Sequence, residues 1–359
     1  MPQPCPACGA SVDAAEPAAR LRCAACATEW SPVRRVRAVS TRVTRVVRQR
    51  PPRSPAQPET TAPPAAPPSR ATRKTPVLDA RAAEPAGPAA LLSGLVEPAL
   101  IERFAPLSLL DDSPADRLLL ALDQRTKRMV ALRLGKPTGD GLARRCAHEA
   151  DLLRRVNHLN VVALVGHGSA GGTPWIAYQY LEGVPLRRRL DSGPLPAREA
   201  ALIVAQVCDG LAALHRAGWV HRELSPDRVR ESGTGLYKLL GFARALPPPG
   251  RAPVDWRSAA DPRYVAPEQA QGDRPGAGAD VYAAGAVLYE LLTGGPPFLT
   301  SDPNLLAVKH AFDPVVPPGQ RVGAAAAFDD VVLRALAKDP GERWASAAEL
   351  ADALRALAG

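Results

Sequence analysis

Long apolar runs are missing from this chain of 359 residues. No stretch approaches the ~18 consecutive apolar residues that mark a membrane-spanning helix. The best candidate, Val281 to Leu292, is too short and carries Glu290. A basic-then-apolar leader is missing as well: the N-terminus holds cysteines and prolines, which argues against export and for a cytoplasmic location. Lysine is scarce, six of the 45 basic residues (Lys74, Lys127, Lys136, Lys238, Lys309 and Lys338), so any chemistry that needs an ammonium has few places to find one. The formal net charge of +9 is also absent from most of the chain. Residues 99–359 hold 31 basic and 29 acidic side chains, whereas residues 31–78 hold 11 basic residues against Glu59 alone. Basicity therefore belongs to one segment and says little about the rest.

What is present divides into three regions. Residues 1–30 carry four of the six cysteines, and residues 31–98 carry 13 of the 39 prolines with almost no large apolar side chains. Such a composition cannot bury enough surface to offset ordering entropy, so 31–98 reads as a disordered linker. From residue 99 to residue 359 the periodic apolar pattern of a core appears. Strands are expected at Arg117–Asp123 and Met129–Leu134, joined by a polar turn, and at Val161–Gly166 and Trp175–Tyr180. Helical periodicity marks Leu142–Val156, Ala200–Ala217, Val281–Thr293, Phe328–Ala337 and Ala347–Ala358. Strands first and helices later argue for an α+β domain with two lobes.

Cys5 and Cys8, then Cys23 and Cys26, form two CxxC pairs. Four thiolates at this separation suit one tetrahedral Zn²⁺, which would supply folding free energy to a segment too short for its own core. Two disulfides would fit the same spacing but suit an exported chain. Closed sites with four cysteines are structural, and the segment resembles a bacterial zinc ribbon. Cys146 and Cys208 fall on helical segments and read as small buried hydrophobes. The basic arm, residues 33–50, sets five valines on one helical stripe among arginines. An anionic surface or nucleic acid would suit its charge. It has no aromatic residues for base stacking, and valine and threonine are poor helix formers, so a solvated tether is the preferred reading.

Seven motifs stand in order over the large region: MVALR (129–133), HEADLLRRVNHLNVV (148–162), HRELSPDRV (221–229), YKLLGFARA (237–245), DPRYVAPEQ (261–269), DVYAAGAVLYELLTGGPPF (280–298) and KDPGERWASAAEL (338–350). In this order and spacing they resemble the bacterial eukaryote-type Ser/Thr protein kinases. The resemblance implies a bilobal fold, a β-rich N-lobe and a helical C-lobe, with nucleotide bound between them. It also implies what phosphoryl transfer requires: glycine amides over the phosphates, a lysine, two Mg²⁺ ligands and a base.

Carried onto this chain, those positions depart together. The glycine-loop positions are Asp111, Ser113 and Asp116, and Asp112 adds another charge of the wrong sign. The strand lysine position is Arg133, which retains charge but not the compact ammonium, and it is expected to pair with Glu149, which matches the family's helix glutamate. Lys136 lies three residues on and should face the other side of a strand. The catalytic aspartate is Glu223, the following lysine is Ser225, the metal-binding asparagine is Arg228 and the metal-binding aspartate is Gly241. Tyr178 falls at the gatekeeper position. The residues the family uses for its scaffold remain: His221, Arg222, Glu268, Asp280 and Arg343. The segment from Phe242 to Ala266 has Asp261 where active members carry threonine.

The reading is therefore a pseudokinase that binds another protein, carrying a zinc ribbon on a flexible basic tether. The alternatives are a weakly active Ser/Thr kinase using Glu223 as base, a nucleic-acid-associated regulator working through ribbon and arm, and metal-free nucleotide binding with Arg228 in place of magnesium.

Overall fold

The computed structural model describes residues 98–114, 116–136, 141–233, 235–247 and 261–359, together with the backbone of four two-residue strands near the N-terminus. The chain divides into two units, Met1–Val77 and Leu78–Gly359.

In the first unit β1 (Gln3–Pro4) pairs antiparallel with β2 (Ser11–Val12), and β3 (Leu21–Arg22) pairs antiparallel with β4 (Glu29–Trp30). Cys5, Cys8, Cys23 and Cys26 lie outside the described residues, as do the basic arm at 33–50 and residues 31–97 as a whole.

Among the described residues the second unit opens with α1 (Pro98–Arg103) and five antiparallel strands in the order β5-β6-β7-β9-β8. These are β5 (Phe104–Asp112), β6 (Asp116–Asp123), β7 (Arg128–Gly135), β8 (Leu164–Ala170) and β9 (Thr173–Gln179). Alternation gives the sheet one dry face. Leu119 and Ala121 of β6 and Val130, Leu132 and Leu134 of β7 are buried, with Phe104 and Trp175 packed edge to face at 5.3 Å. Because side chains alternate along a strand, Arg133 points to the opposite face, toward the second lobe. Between β7 and β8 comes α2 (Leu142–Arg155), whose buried stripe contains Leu142, Cys146, Ala150, Leu153 and, among these apolar groups, Glu149.

The remainder is mainly helical: α3 (Leu186–Leu190), α4 (Ala197–Arg216), a hairpin of β10 (Val229–Glu231) and β11 (Tyr237–Leu239), then α5 (Pro267–Ala270), α6 (Ala277–Thr293), α7 (Pro303–Phe312), α8 (Pro318–Arg321), α9 (Asp329–Ala335) and α10 (Ala347–Ala358). Helix α6 is buried from Ala279 through Leu292, the pattern of a helix surrounded by its neighbours. Gly285 lets α9 approach it: a Cβ there would stand 2.7 Å from the Cβ of Ala335. Cys146 and Cys208 are both free and buried.

One expected strand is displaced, and β5 and α7 are among the elements that the sequence pattern left unmarked. The strand expected at Val161–Gly166 starts at Leu164, because Val161 bridges instead to Leu239 and Val162 donates its amide to the Leu239 carbonyl. Both valines thereby join the helical core. Strand β5 was not anticipated; it is an edge strand exposed from Leu107 to Asp112, so alternation leaves no apolar signature. Helix α7 was also missed, since Leu305, Val308 and Phe312 stay exposed and dilute its buried stripe. No helix among the described residues is long and apolar enough to cross a membrane.

Candidate functional site

The site is the cleft between the sheet lobe and the helical lobe. Its inner part is a cavity of ≈220 Å³ with an apolar lining that includes Leu118, Ala131, Val162, Leu181 and Leu240. Its outer part, ≈550 Å³, is polar: Arg133, Arg145, Arg228 and Arg244 share its walls with Asp111, Asp116, Glu223 and Asp261. Arg133, Arg228 and Gly241 line both parts, so the two are continuous.

The roof is the turn between β5 and β6. It closes on itself: the Ser113 amide donates to the Asp116 carbonyl at 3.0 Å, and Ser113 Oγ donates to Asp116 Oδ1 at 2.9 Å. Asp111 ends exposed on β5. Asp112, expected to add charge of the wrong sign, is paired with two cations. Lys136 Nζ lies 2.6 Å from Asp112 Oδ1 and donates to the Ser113 carbonyl at 2.5 Å, and Arg117 lies 3.1 Å from the same carboxylate. The Lys136 hydrogen bond holds the Asp112 carboxyl below its ordinary range. Sequence parity placed Lys136 on the wrong side of a strand; it actually follows the strand end at Gly135, where alternation no longer applies.

Arg133 is engaged by the protein itself. Its NH1 lies 3.4 Å from Glu149 Oε2 and 3.4 Å from the Tyr178 hydroxyl, and its Nε lies 3.9 Å from Asp116 Oδ2. Burial disfavours the charge, but the Glu149 and Asp116 carboxylates outweigh it, and the guanidinium pKa moves up. Burial, followed by the Glu149 charge, raises Tyr178 well above its usual value, so its hydroxyl stays protonated. The other oxygen of Glu149 accepts the Phe242 amide at 3.2 Å, which ties α2 to the segment after β11.

The floor is the 221–228 loop. Buried Asp280 holds it: Oδ2 accepts the His221 amide and Oδ1 the Arg222 amide, each at 2.8 Å, while His215 Nε2 lies 2.8 Å from Oδ2. Arg222 sits at φ 71, a left-handed conformation that these contacts sustain. The His221 ring bonds the Leu240 carbonyl at 3.0 Å and packs edge to face on Phe242 at 5.1 Å. Farther off, Arg343 grips Glu268 bidentately at 2.9 and 2.7 Å. These interactions keep the loop in place.

At the chemistry end the arrangement is different. Ser225 is buried, and its carbonyl accepts the Arg228 amide at 2.9 Å. Gly241 has φ +83, and a Cβ built on it would meet Arg228 Cδ at 2.7 Å and Nε at 3.0 Å. The Arg228 side chain thus fills the space that a side chain at 241 would enter. Glu223 lies between two cations, 3.9 Å from Arg228 NH2 and 3.5 Å from Arg244 NH1. Arg244 was not singled out from the sequence; only its place in the YKLLGFARA motif pointed to the cleft.

Magnesium binds through oxygen ligands, mostly carboxylates and waters, in near-octahedral geometry. A guanidinium and a glycine supply no such oxygens, and Glu223 beside them lies 3.9 Å from Arg228 NH2 and 3.5 Å from Arg244 NH1. Among the described residues no group of three His, Cys, Asp or Glu side chains converges to hold a metal ion. Residues 228 and 241 therefore do not fit the cation.

A five-stranded antiparallel sheet over a helical lobe, with a helix glutamate reaching a basic residue on β7 and an aspartate-anchored loop below, defines a two-lobed kinase-type domain. The comparisons agree: the family described as "Protein kinase domain" matches residues 117–353, so the chain belongs to the protein kinase domain family. It is 36% identical over 274 residues to the serine/threonine-protein kinase PknB of Mycobacterium leprae, covering 73% of this chain and 44% of that protein. PknB of Mycobacterium tuberculosis is 36% identical over 249 residues, covering 66% and 40%. Pkn1 of Myxococcus xanthus, another serine/threonine-protein kinase, is 36% identical over 223 residues, covering 60% and 32%. The chain thus spans less than half the length of these relatives.

Proposed function

We propose that this kinase-family domain is a pseudokinase: a protein-binding or regulatory domain in signalling with little or no phosphoryl transfer. The observation that carries the reading is the Arg228–Gly241 pair, in which a cationic side chain fills the space of a metal ligand. Loss of the cation matters because phosphoryl transfer depends on neutralising phosphate charge. The intact scaffold, from Asp280 to the Glu268–Arg343 pair, supports selection for a folded domain rather than decay.

The second reading is a weakly active Ser/Thr protein kinase, with Glu223 as base and Arg133 on phosphate. The relatives favour it, since all those reported above are named serine/threonine-protein kinases. The two readings separate in one assay. Purified protein is incubated with γ-labelled ATP and Mg²⁺ or Mn²⁺, with a Glu223→Gln variant as control. The first reading expects no labelling above that control; labelling that depends on Glu223 establishes the second.

For the N-terminal unit we propose a structural Zn²⁺ held by Cys5, Cys8, Cys23 and Cys26, with the basic arm at 33–50 as a tether that brings the ribbon's contact to the same partner. The support is an offset of 18 positions: β1 and β3 each end immediately before the first cysteine of a pair, and β2 and β4 each begin six residues after it. Joining two weak contacts raises effective concentration without new ones. A nucleic-acid partner would instead give affinity that falls steeply with salt and vanishes on deletion of 31–78.

A further inference from the structure

Arg228 is the most unusual residue of the cleft. Its backbone is fixed from both sides: its amide donates to the Ser225 carbonyl, and its carbonyl accepts the Leu240 amide, each at 2.9 Å. Its stem rests against Gly241, which sets the direction in which the guanidinium projects. The charged end is held less firmly. It is 42% exposed and its NH2 stands 3.9 Å from Glu223 Oε2, outside hydrogen-bond range. Such a loose ion pair exchanges readily for a better anion, and a phosphate group offers shorter, bidentate, charge-assisted bonds to a guanidinium. The same arginine also borders the apolar inner cavity, where a flat base would leave water between Leu118, Ala131 and Leu240.

We infer that the cleft binds a nucleotide without a divalent cation, Arg228 meeting the phosphates where a metal ion would otherwise lie, and Glu223 acting as the internal carboxylate that the phosphates displace. Arg244, 3.5 Å from Glu223, forms the far wall of the same polar space. This rests on the reading that magnesium-dependent transfer is lost. It adds a ligand, a polarity and a competitor: magnesium should not help, because its charge adds to that of the arginines already there.

The test uses the full chain, with thermal-shift and calorimetric titrations of ATP in EDTA and in excess Mg²⁺, and with tripolyphosphate and adenosine as the anion-only and base-only probes. The expected result is saturable ATP binding in EDTA that magnesium does not strengthen, with both partial probes weaker. Arg228→Met should weaken ATP at least about tenfold, the loss of a charged hydrogen-bonding partner. Glu223→Gln should tighten it, and this second variant keeps the inference testable if the first folds poorly. ATP binding that requires metal overturns the inference, as does an Arg228→Met protein that binds as tightly as its parent, or a Glu223→Gln protein that binds more weakly. Equal affinity for tripolyphosphate overturns the nucleotide assignment. Failure to bind under any condition overturns this inference alone. Metal-dependent binding accompanied by Glu223-dependent phosphate transfer overturns the pseudokinase reading with it.

Discussion

Arg228 and Gly241 occupy one space between them: a Cβ on residue 241 would stand 2.7 Å from Arg228 Cδ, closer than real Cβ contacts come. The glycine also has φ +83, where any other L-residue is strained. The two positions are therefore coupled, and restoring a carboxylate at 241 means displacing the arginine. Gly241→Asp alone should destabilise the domain by about 2 kcal/mol, from left-handed strain and the clash together. Adding Arg228→Asn should recover part of that loss. Urea denaturation of the two single variants and the double variant measures the coupling, and additive effects would show that the positions are independent.

Asp280 gives a second prediction. Its two oxygens accept the amides of His221 and Arg222 and contact His215, and the carboxylate itself is fully buried. Burial pulls its pKa up, but the His215 hydrogen bond and neighbouring groups outweigh this, and the carboxyl titrates below its ordinary range. Asp280→Asn keeps the shape but turns an NH₂ group toward donors. An unsatisfied buried donor beside a lost charge should lower stability by about 3 kcal/mol, read as a shift in the urea midpoint. Amide exchange at 221–223 should rise with it, because the left-handed Arg222 loses its support.

A third concerns pH. His310 is buried against Tyr282, whose hydroxyl lies 2.9 Å from Nδ1, and against Phe298, with Lys338 donating to the His310 carbonyl at 2.7 Å. Burial, then the Lys338 charge, lowers its pKa to about 4. The unfolded chain would bind the proton near pH 6.5. Between those values the unfolded state carries the extra proton, so stability is full above about pH 6.5 and declines as pH falls toward 4, by about 1.4 kcal/mol per unit. His310→Gln should flatten this slope by about one proton in urea titrations at pH 6.5, 5.5 and 4.5. An unchanged slope would show that His310 does not contribute to it.

How much of this was legible beforehand depended on whether a residue's role is set by local pattern or by distant partners. Strands β6 and β7 follow from alternation and α4 from helical spacing, because each buries a regular face, whereas α6, buried all round, follows from its unbroken apolar run. The residue types at 223, 228 and 241 were legible from motif order. Their geometry was not: nothing in the sequence says that Arg228 folds over Gly241, or that Lys136 reaches back to Asp112. Those contacts depend on the β5–β6 turn and on where β7 ends. Edge strand β5 and helix α7 escaped because their exposed leucines, valine and phenylalanine blur the period that burial would create.

The last prediction concerns residues 1–30. A segment this short has no core of its own, so any order it has would have to come from a cross-link. If that cross-link is one zinc ion on four thiolates, the protein should contain one zinc per chain, and the metal's binding free energy should be the segment's folding free energy. Chelation under reducing conditions should then unfold residues 1–30 while leaving the kinase-type unit intact, since no metal-binding cluster lies among the residues described there. Cobalt substitution offers a direct readout, because tetrahedral thiolate coordination gives intense visible absorption whereas disulfides give none. Cys8→Ser should abolish that spectrum and leave the melting transition of residues 99–359 where it was. Zinc content well below one per chain, or a segment that stays ordered in chelator, would overturn the zinc site, and mass spectrometry of the non-reduced protein would show whether the four cysteines are paired as disulfides.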